Sequence, residues 1–239
     1  MSNNRRIDEY TKYIRENPSD PDGYFSRGLE YLDAGENELA IADFSETIKL
    51  NPDDCDAYNN RGNAYDSLGM HELALKDFST VIDLDPADIN AYYNRGNAYY
   101  GLGEYFEAVK DFSKVISKSP RDVDALIYRA TAAYQLKEYE CAVGDYLAAS
   151  MIDRTSFEAF YGMALALQDL DEFDTALEKI NKAIELNASF ADAYSLRAEI
   201  YRGRGDLTLA VSDENTEKNL CKKNFAVVTI GSSRRAFRA

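Results

Sequence analysis

Asparagine and tyrosine dominate YYNRGNAYYGLGEY at residues 92–105, and YNNRGNAYDSLGMH at 58–71 is nearly the same text. Carboxamides donate and accept at once, so a row of them suits an extended peptide backbone, and tyrosines add apolar area with a polar tip. Catalysis asks for other residues. The one histidine, His71, has no Cys or Asp in a matching phase, and Cys55, Cys141 and Cys221 never form a CxxC pair. Glycines 96, 101 and 103 do not spell GxGxxG, and no strand pattern precedes them. Arg204-Gly205-Asp206 falls in the same phase as Leu102-Gly103-Glu104, a turn. No nucleophile–base pair, cofactor motif or metal set emerges, so the expectation is non-covalent recognition without an enzyme activity.

The elements that must position these residues follow from a period of 34. Pro18, Pro52, Pro86 and Pro120 repeat at that spacing, and Ala40, Ala74, Ala108, Ala142, Ala176 and Ala210 hold one phase through six copies. A second small column is Gly28, Gly62, Gly96, Ala130, Ala164 and Ala198. In the third copy Tyr92, Gly96 and Tyr99 mark one face of a first helix, which Gly103 terminates by accepting a left-handed backbone. Tyr105, Ala108, Val109, Phe112, Val115 and Ile116 form the apolar face of a second helix, and Pro120 turns the chain onward. Gly96 and Ala108 allow the helix axes to approach, while Tyr92, Tyr99 and Phe112 are expected to fill the space beside them.

The repeat length, the glycine-or-alanine columns and the closing proline resemble the tetratricopeptide repeat. Six copies span 21–54, 55–88, 89–122, 123–156, 157–190 and 191–224; residues 1–20 resemble the second helix of a leading half repeat, and 225–239 form a tail. The resemblance implies an all-α fold: a right-handed superhelical solenoid of antiparallel helix pairs. First helices would line a concave groove that in this family usually binds peptide segments.

Two departures stand out. Glu214 occupies the column that otherwise reads Phe44, Phe78, Phe112, Tyr146 and Ile180, which makes the last second helix either a polar cap or a frayed end. An arginine also sits where the family more often has leucine: Arg27, Arg61, Arg95, Arg129 and Arg197, but Met163 in the fifth copy. Sixteen residues on come Asp43, Asp77, Asp111, Asp145 and Asp213, but Lys179 in the fifth. Arginine and aspartate vanish together, so the spacing predicts an ion pair joining the two helices of one repeat.

Helical spacing puts Asn59, Asn60 and Asn63, then Asn90, Tyr93, Asn94, Asn97 and Tyr100, on the face opposite the core. The fourth copy contributes Asp124, Ile127, Tyr128, Thr131 and Tyr134, and the fifth Tyr161, with Glu158, Leu165 and Gln168. These are the candidate groove residues. A solvated helix face typical of the family accounts for the same pattern, and first-turn carboxylates such as Asp56 and Asp124 also complement the helix dipole. Some family members clamp the acidic C-terminus of chaperones with lysines, asparagines and an arginine. Carried over, those positions are Asn59, Asn63, Asn94, Asp124 and Tyr128: the two asparagines are matched and the three cations are not.

Charge narrows the partner. The net charge is −15, and residues 21–206 alone carry −18, because 207–239 hold six bases against three acids (+3) and 1–20 balance. Such a body repels phosphate backbones, so nucleic acid is not expected, and a neutral or basic protein segment is. No apolar run reaches the roughly 18 residues that span a bilayer, and the N-terminus lacks a signal-peptide core, so the expected compartment is the cytoplasm. The tail, FAVVTIGSSRRAFRA, is the composition that an acidic, tyrosine-lined groove would attract. Three fates are open to it: a loose terminus, a cap on the last helix, or an occupant of its own or a neighbour's groove through self-association. The leading expectation is a peptide-binding scaffold, with self-assembly through the array ends as the alternative. Replacing Ala108 by leucine should lower stability by roughly 1–3 kcal/mol through overpacking, measured by urea denaturation; an unchanged midpoint would remove Ala108 from the helix contact.

Overall fold

The computed structural model describes the backbone of residues 2–236 and the side chains of 5–222. It consists of thirteen helices among the described residues: α1 (Ser2–Glu16), α2 (Pro21–Asp33), α3 (Asn37–Leu50), α4 (Cys55–Ser67), α5 (His71–Leu84), α6 (Ile89–Gly101), α7 (Tyr105–Lys118), α8 (Val123–Gln135), α9 (Tyr139–Ile152), α10 (Phe157–Asp169), α11 (Phe173–Leu186), α12 (Ala191–Arg204) and α13 (Leu207–Ala236). Each 34-residue copy folds as a pair, α2 with α3 through α12 with α13, and within each of two units successive pairs stack in the manner of an all-α solenoid. The contacts divide into two compact units, Met1–Pro120 and Arg121–Ala239.

Local chemistry sets the helix ends. The first helices of the copies open on Asp20, Asp54, Asp88, Asp122 and Ser156, each accepting a hydrogen bond from a first-turn N–H. They close through one turn: in the first copy the Gly35 N–H donates to Leu32 O and the Glu36 N–H to Tyr31 O. That turn needs a left-handed residue at 34-residue intervals. Glycine fills it at 35, 69, 103 and 205, and Lys137 and Asp171 adopt the same conformation at φ 62° and 60°. Helix α13 runs on as far as Ala236, through residue 224 where the period ends. Side chains beyond Lys222, and with them the expectations for the tail's contacts, lie outside the described residues.

The core rests on small residues more than on the tyrosines. Ala57, Ala91, Ala125, Ala159 and Ala193 are wholly buried, as are Ala64, Ala98, Ala132 and Ala166, two columns that the sequence reading passed over. In the first copy the second of these columns holds Glu30, which accepts from Arg6 of α1 at 3.0 Å. Phe44, Phe78 and Phe112 lie against Gly28, Gly62 and Gly96, where a Cβ would stand 2.6–3.0 Å from the ring. The expected close approach is therefore a glycine accepting an aromatic face.

The tyrosine columns, expected in the core, are only half-buried because they hold the arginines. Arg95 Cζ lies 5.6 Å from the centroid of Tyr92 and 5.8 Å from that of Tyr99. Arg61 sits likewise at 5.5 and 5.8 Å from Tyr58 and Tyr65, and Arg197 at 5.4 and 6.0 Å from Tyr194 and Tyr201.

The within-repeat ion pair is present in all five copies that carry arginine, at residues 27, 61, 95, 129 and 197, and it is bidentate. Arg61 donates from Nε to Asp77 Oδ2 and from Nη2 to Oδ1, both at 2.7 Å. A third bond reaches backwards, from Arg61 Nη1 to Ser45 Oγ at 3.1 Å, and the same link joins Arg27 to Thr11, Arg95 to Ser79 and Arg197 to Asn181. One guanidinium thus ties three helices together: its own, the second helix of its repeat and the second helix of the preceding one. In the fifth copy the three positions read Leu147, Met163 and Lys179; Met163 is buried and Lys179 turns to Glu178 at 3.6 Å.

Arg61 and Asp77 are 17% and 3% exposed. Removing one partner strands the other, so Arg61→Met should destabilise by about 3–5 kcal/mol. Copying the fifth repeat entirely, with Ser45→Leu, Arg61→Met and Asp77→Lys, should recover most of that loss in chemical denaturation. A triple variant as unstable as the single one would refute the coupling.

Candidate interaction surface

First helices touch one another within each unit, α2 with α4 and α4 with α6, then α8 with α10 and α10 with α12. Within a unit, second helices of neighbouring repeats make no such contact among the described residues. Each unit therefore curves with its first helices inside, and the candidate residues sit on those helices.

In the first unit, Asn94 Nδ2 donates to Asn59 Oδ1 at 3.0 Å, linking α6 to α4. Asn60 instead donates to its own helix, at Asp56 O, 2.8 Å away. Asn63 is half-buried and Asn90 is exposed. Asn97 Oδ1 is buried without a hydrogen-bond partner. Tyr93 packs edge-on against Phe112 at 5.8 Å and Tyr100 against Tyr105 at 5.3 Å.

The second unit is built differently. Thr131 Oγ1 bonds to Ile127 O at 2.8 Å and shares a 2.9 Å bond with the Tyr146 hydroxyl. Tyr146 itself lies against Gly162, where a Cβ would stand 2.3 Å away. Glycine there, in the column of Asn60 and Asn94, is what admits the larger ring. Tyr134 donates its hydroxyl proton to Asp169, and burial first, then that bond, pushes its pKa above the usual phenol range. Burial followed by the nearby Asp192 and Glu199 also raises the pKa of Tyr161. Asp124, Ile127 and Tyr128 line a depression of about 480 Å³ together with Val123, Asp153, Thr155, Ser156, Phe157 and Glu158.

Phe190 is a residue that the sequence reading missed. It stands in the capping column of Asp20, Asp54, Asp88, Asp122 and Ser156, and α12 has no side-chain cap as a result. Such a loss is worth about 1 kcal/mol. The ring instead packs at 5.0 Å on Tyr161 and 5.3 Å on Phe157. An aromatic breaking a polar column was the available signal. The Glu214 departure also has a partner, since its carboxylate pairs with Arg202 of α12. His71 bonds through Nδ1 to Asp66 Oδ1 at 2.7 Å and lies against Gly101, a packing role.

Models of the tetratricopeptide repeat match residues 28–69 and 62–103, 89–122, and 161–217. The chain belongs to the tetratricopeptide repeat family. Repeats of this family are typically non-catalytic interaction modules, and the fold supports a protein-interaction scaffold. No curated protein sequence matches. Among solved structures, a tetratricopeptide repeat protein from Parabacteroides merdae superposes with a TM-score of 0.73 at 21% identity, covering 81% of this chain and 77% of that one. YrrB, a protein with an unusual peptide-binding site, gives 0.68 at 21% identity over 77% and 95%. MamA from Desulfovibrio magneticus gives 0.69 at 22% over 71% and 96%. These likenesses show the repeat fold. Among the described residues no helix is long and apolar enough to cross a membrane.

Tyr134 should keep its proton in alkaline solution where exposed tyrosines have lost theirs, read by tyrosine NMR. The raised folded-state pKa favours the protonated form, so its stabilising contribution is intact below the unfolded value of about 10 and declines as pH rises above it. Asp169→Asn should bring the titration back toward that value; an identical curve would exclude the bond.

Proposed function

We propose that the chain is a non-catalytic scaffold that holds an extended or helical segment of a partner protein against the inner faces of its first helices. The segment is neutral or basic. The observation that carries this reading is the row of asparagines and tyrosines on α4 and α6 of the first unit, with Asn94 of one first helix bonded to Asn59 of the next. Preformed helices lower the ordering cost on the receptor side. The peptide-binding site of the similarly folded YrrB is consistent with such a role. The acidic body disfavours nucleic acid. Unpaired Cys55, Cys141 and Cys221 fit the reducing cytoplasm.

A second reading, self-association through the array ends, draws on the surface of α1. Glu9, Tyr10 and Tyr13 line a depression there with Asp22, Gly23 and Ser26. Sedimentation at rising concentration separates the two readings, because a receptor alone stays monomeric.

The direct test compares affinity capture from native extract by the unaltered chain and by Tyr93→Ala/Asn94→Ala/Asn97→Ala/Tyr161→Ala. Partners should be lost from the variant, with direct affinity falling at least about tenfold, or 1.4 kcal/mol. Full retention by a folded variant would place recognition elsewhere.

A further inference from the structure

We infer that the depression between the starts of α8 and α10 is a specificity pocket for one lysine or arginine side chain of the bound segment, an inference that rests on the groove reading above. Its apolar and aromatic lining is Val123, Ile127, Tyr128 and Phe157, alongside the carboxylates. Its rim carries Asp124, Asp153 and Glu158, and among the described residues none of the three pairs with a cation. Arg154, next to Asp153 in sequence, does not line the pocket. Apolar side chains beside carboxylates that lack a cationic partner match a long basic side chain, whose methylene stem packs while its head stays polar. The two rings add a face that attracts a cation.

The site is built, beyond being acidic. Thr155 donates to Asp153 Oδ1 from its backbone N–H at 2.8 Å and its hydroxyl at 2.7 Å, which fixes that carboxylate and holds its pKa below the usual range. Ser156 Oγ, the cap of α10, also donates to Glu158 Oε2 at 3.3 Å. Phe157 is braced by Phe190, the residue for which the α12 cap was given up. The carboxylates do not converge as a metal set would, since no group of acidic, histidine or cysteine side chains among the described residues could hold an ion. A side chain that reaches past them fits better.

The test pans a random dodecapeptide phage library against the full chain and against Asp124→Asn/Glu158→Gln, two isosteric changes at exposed positions. Peptides selected on the unaltered chain should share one fixed lysine or arginine. Replacing that residue by norleucine or citrulline should weaken binding at least about tenfold to the unaltered chain and less than about twofold to the variant. Methyl NMR should place the bound peptide at Ile127. Selected peptides with no fixed base, or an equal loss on both chains, would overturn the pocket and leave the groove reading standing. A library yielding no binder would overturn both.

Discussion

A guanidinium held on three sides is the constraint on which the regular repeats depend. Arg27, Arg61, Arg95 and Arg197 are each buried to within a fifth of the side-chain surface, and an unpaired charge there would be prohibitive. The fold answers with a bidentate aspartate from one helix and a hydroxyl or amide from another, and at Arg61, Arg95 and Arg197 with two tyrosine rings as well. Fork geometry is what lysine lacks, so this site belongs to arginine. Because the three partners come from three helices, the bonds fix how a repeat sits on its predecessor, which packing of small residues alone would leave free to slide.

The remaining columns make sense around that staple. Tyrosines that flank the arginine cannot also fill the interior, so alanines take the interior and let helices come close. Phenylalanine from the second helix then uses the bare surface of a glycine on the first. Where the staple is absent, in the fifth copy, its neighbourhood is remade: Met163 is buried, Tyr146 replaces phenylalanine, and Gly162 replaces the asparagine that would have met its ring. The second unit thereby loses an asparagine from its inner face and gains the cluster of Phe157, Tyr161 and Phe190. A change in core packing has become a change in surface chemistry.

Much of this was legible in the sequence. The period placed every helix pair, and the joint disappearance of Arg and Asp at Met163 and Lys179 identified the ion pair before any distance was known. The candidate residues of the first unit lie on α4 and α6, the helices that the period assigns to them. What the sequence reading mistook was the depth of the tyrosine columns, because a large apolar ring at helical spacing reads as core whether it packs on carbon or on a guanidinium. It also passed over Phe190, the ring that braces the depression lined by Asp124, Ile127 and Tyr128, since that residue lies outside the helical face being counted.

The sequence by itself determined what repeats: the unit length, the two helices, the turn that needs a left-handed residue and the pairing of opposite charges within a copy. Periodicity carries that information because equal units must bury equal faces. Only the tertiary structure decided which side chains meet between copies. Asn59 with Asn94, Tyr134 with Asp169, and Phe157 with Phe190 are each separated by more than thirty residues, and their meeting depends on how one pair of helices rotates against the next. That rotation is a property of the stacked helices, set by the volumes and hydrogen bonds between them, and no single repeat encodes it.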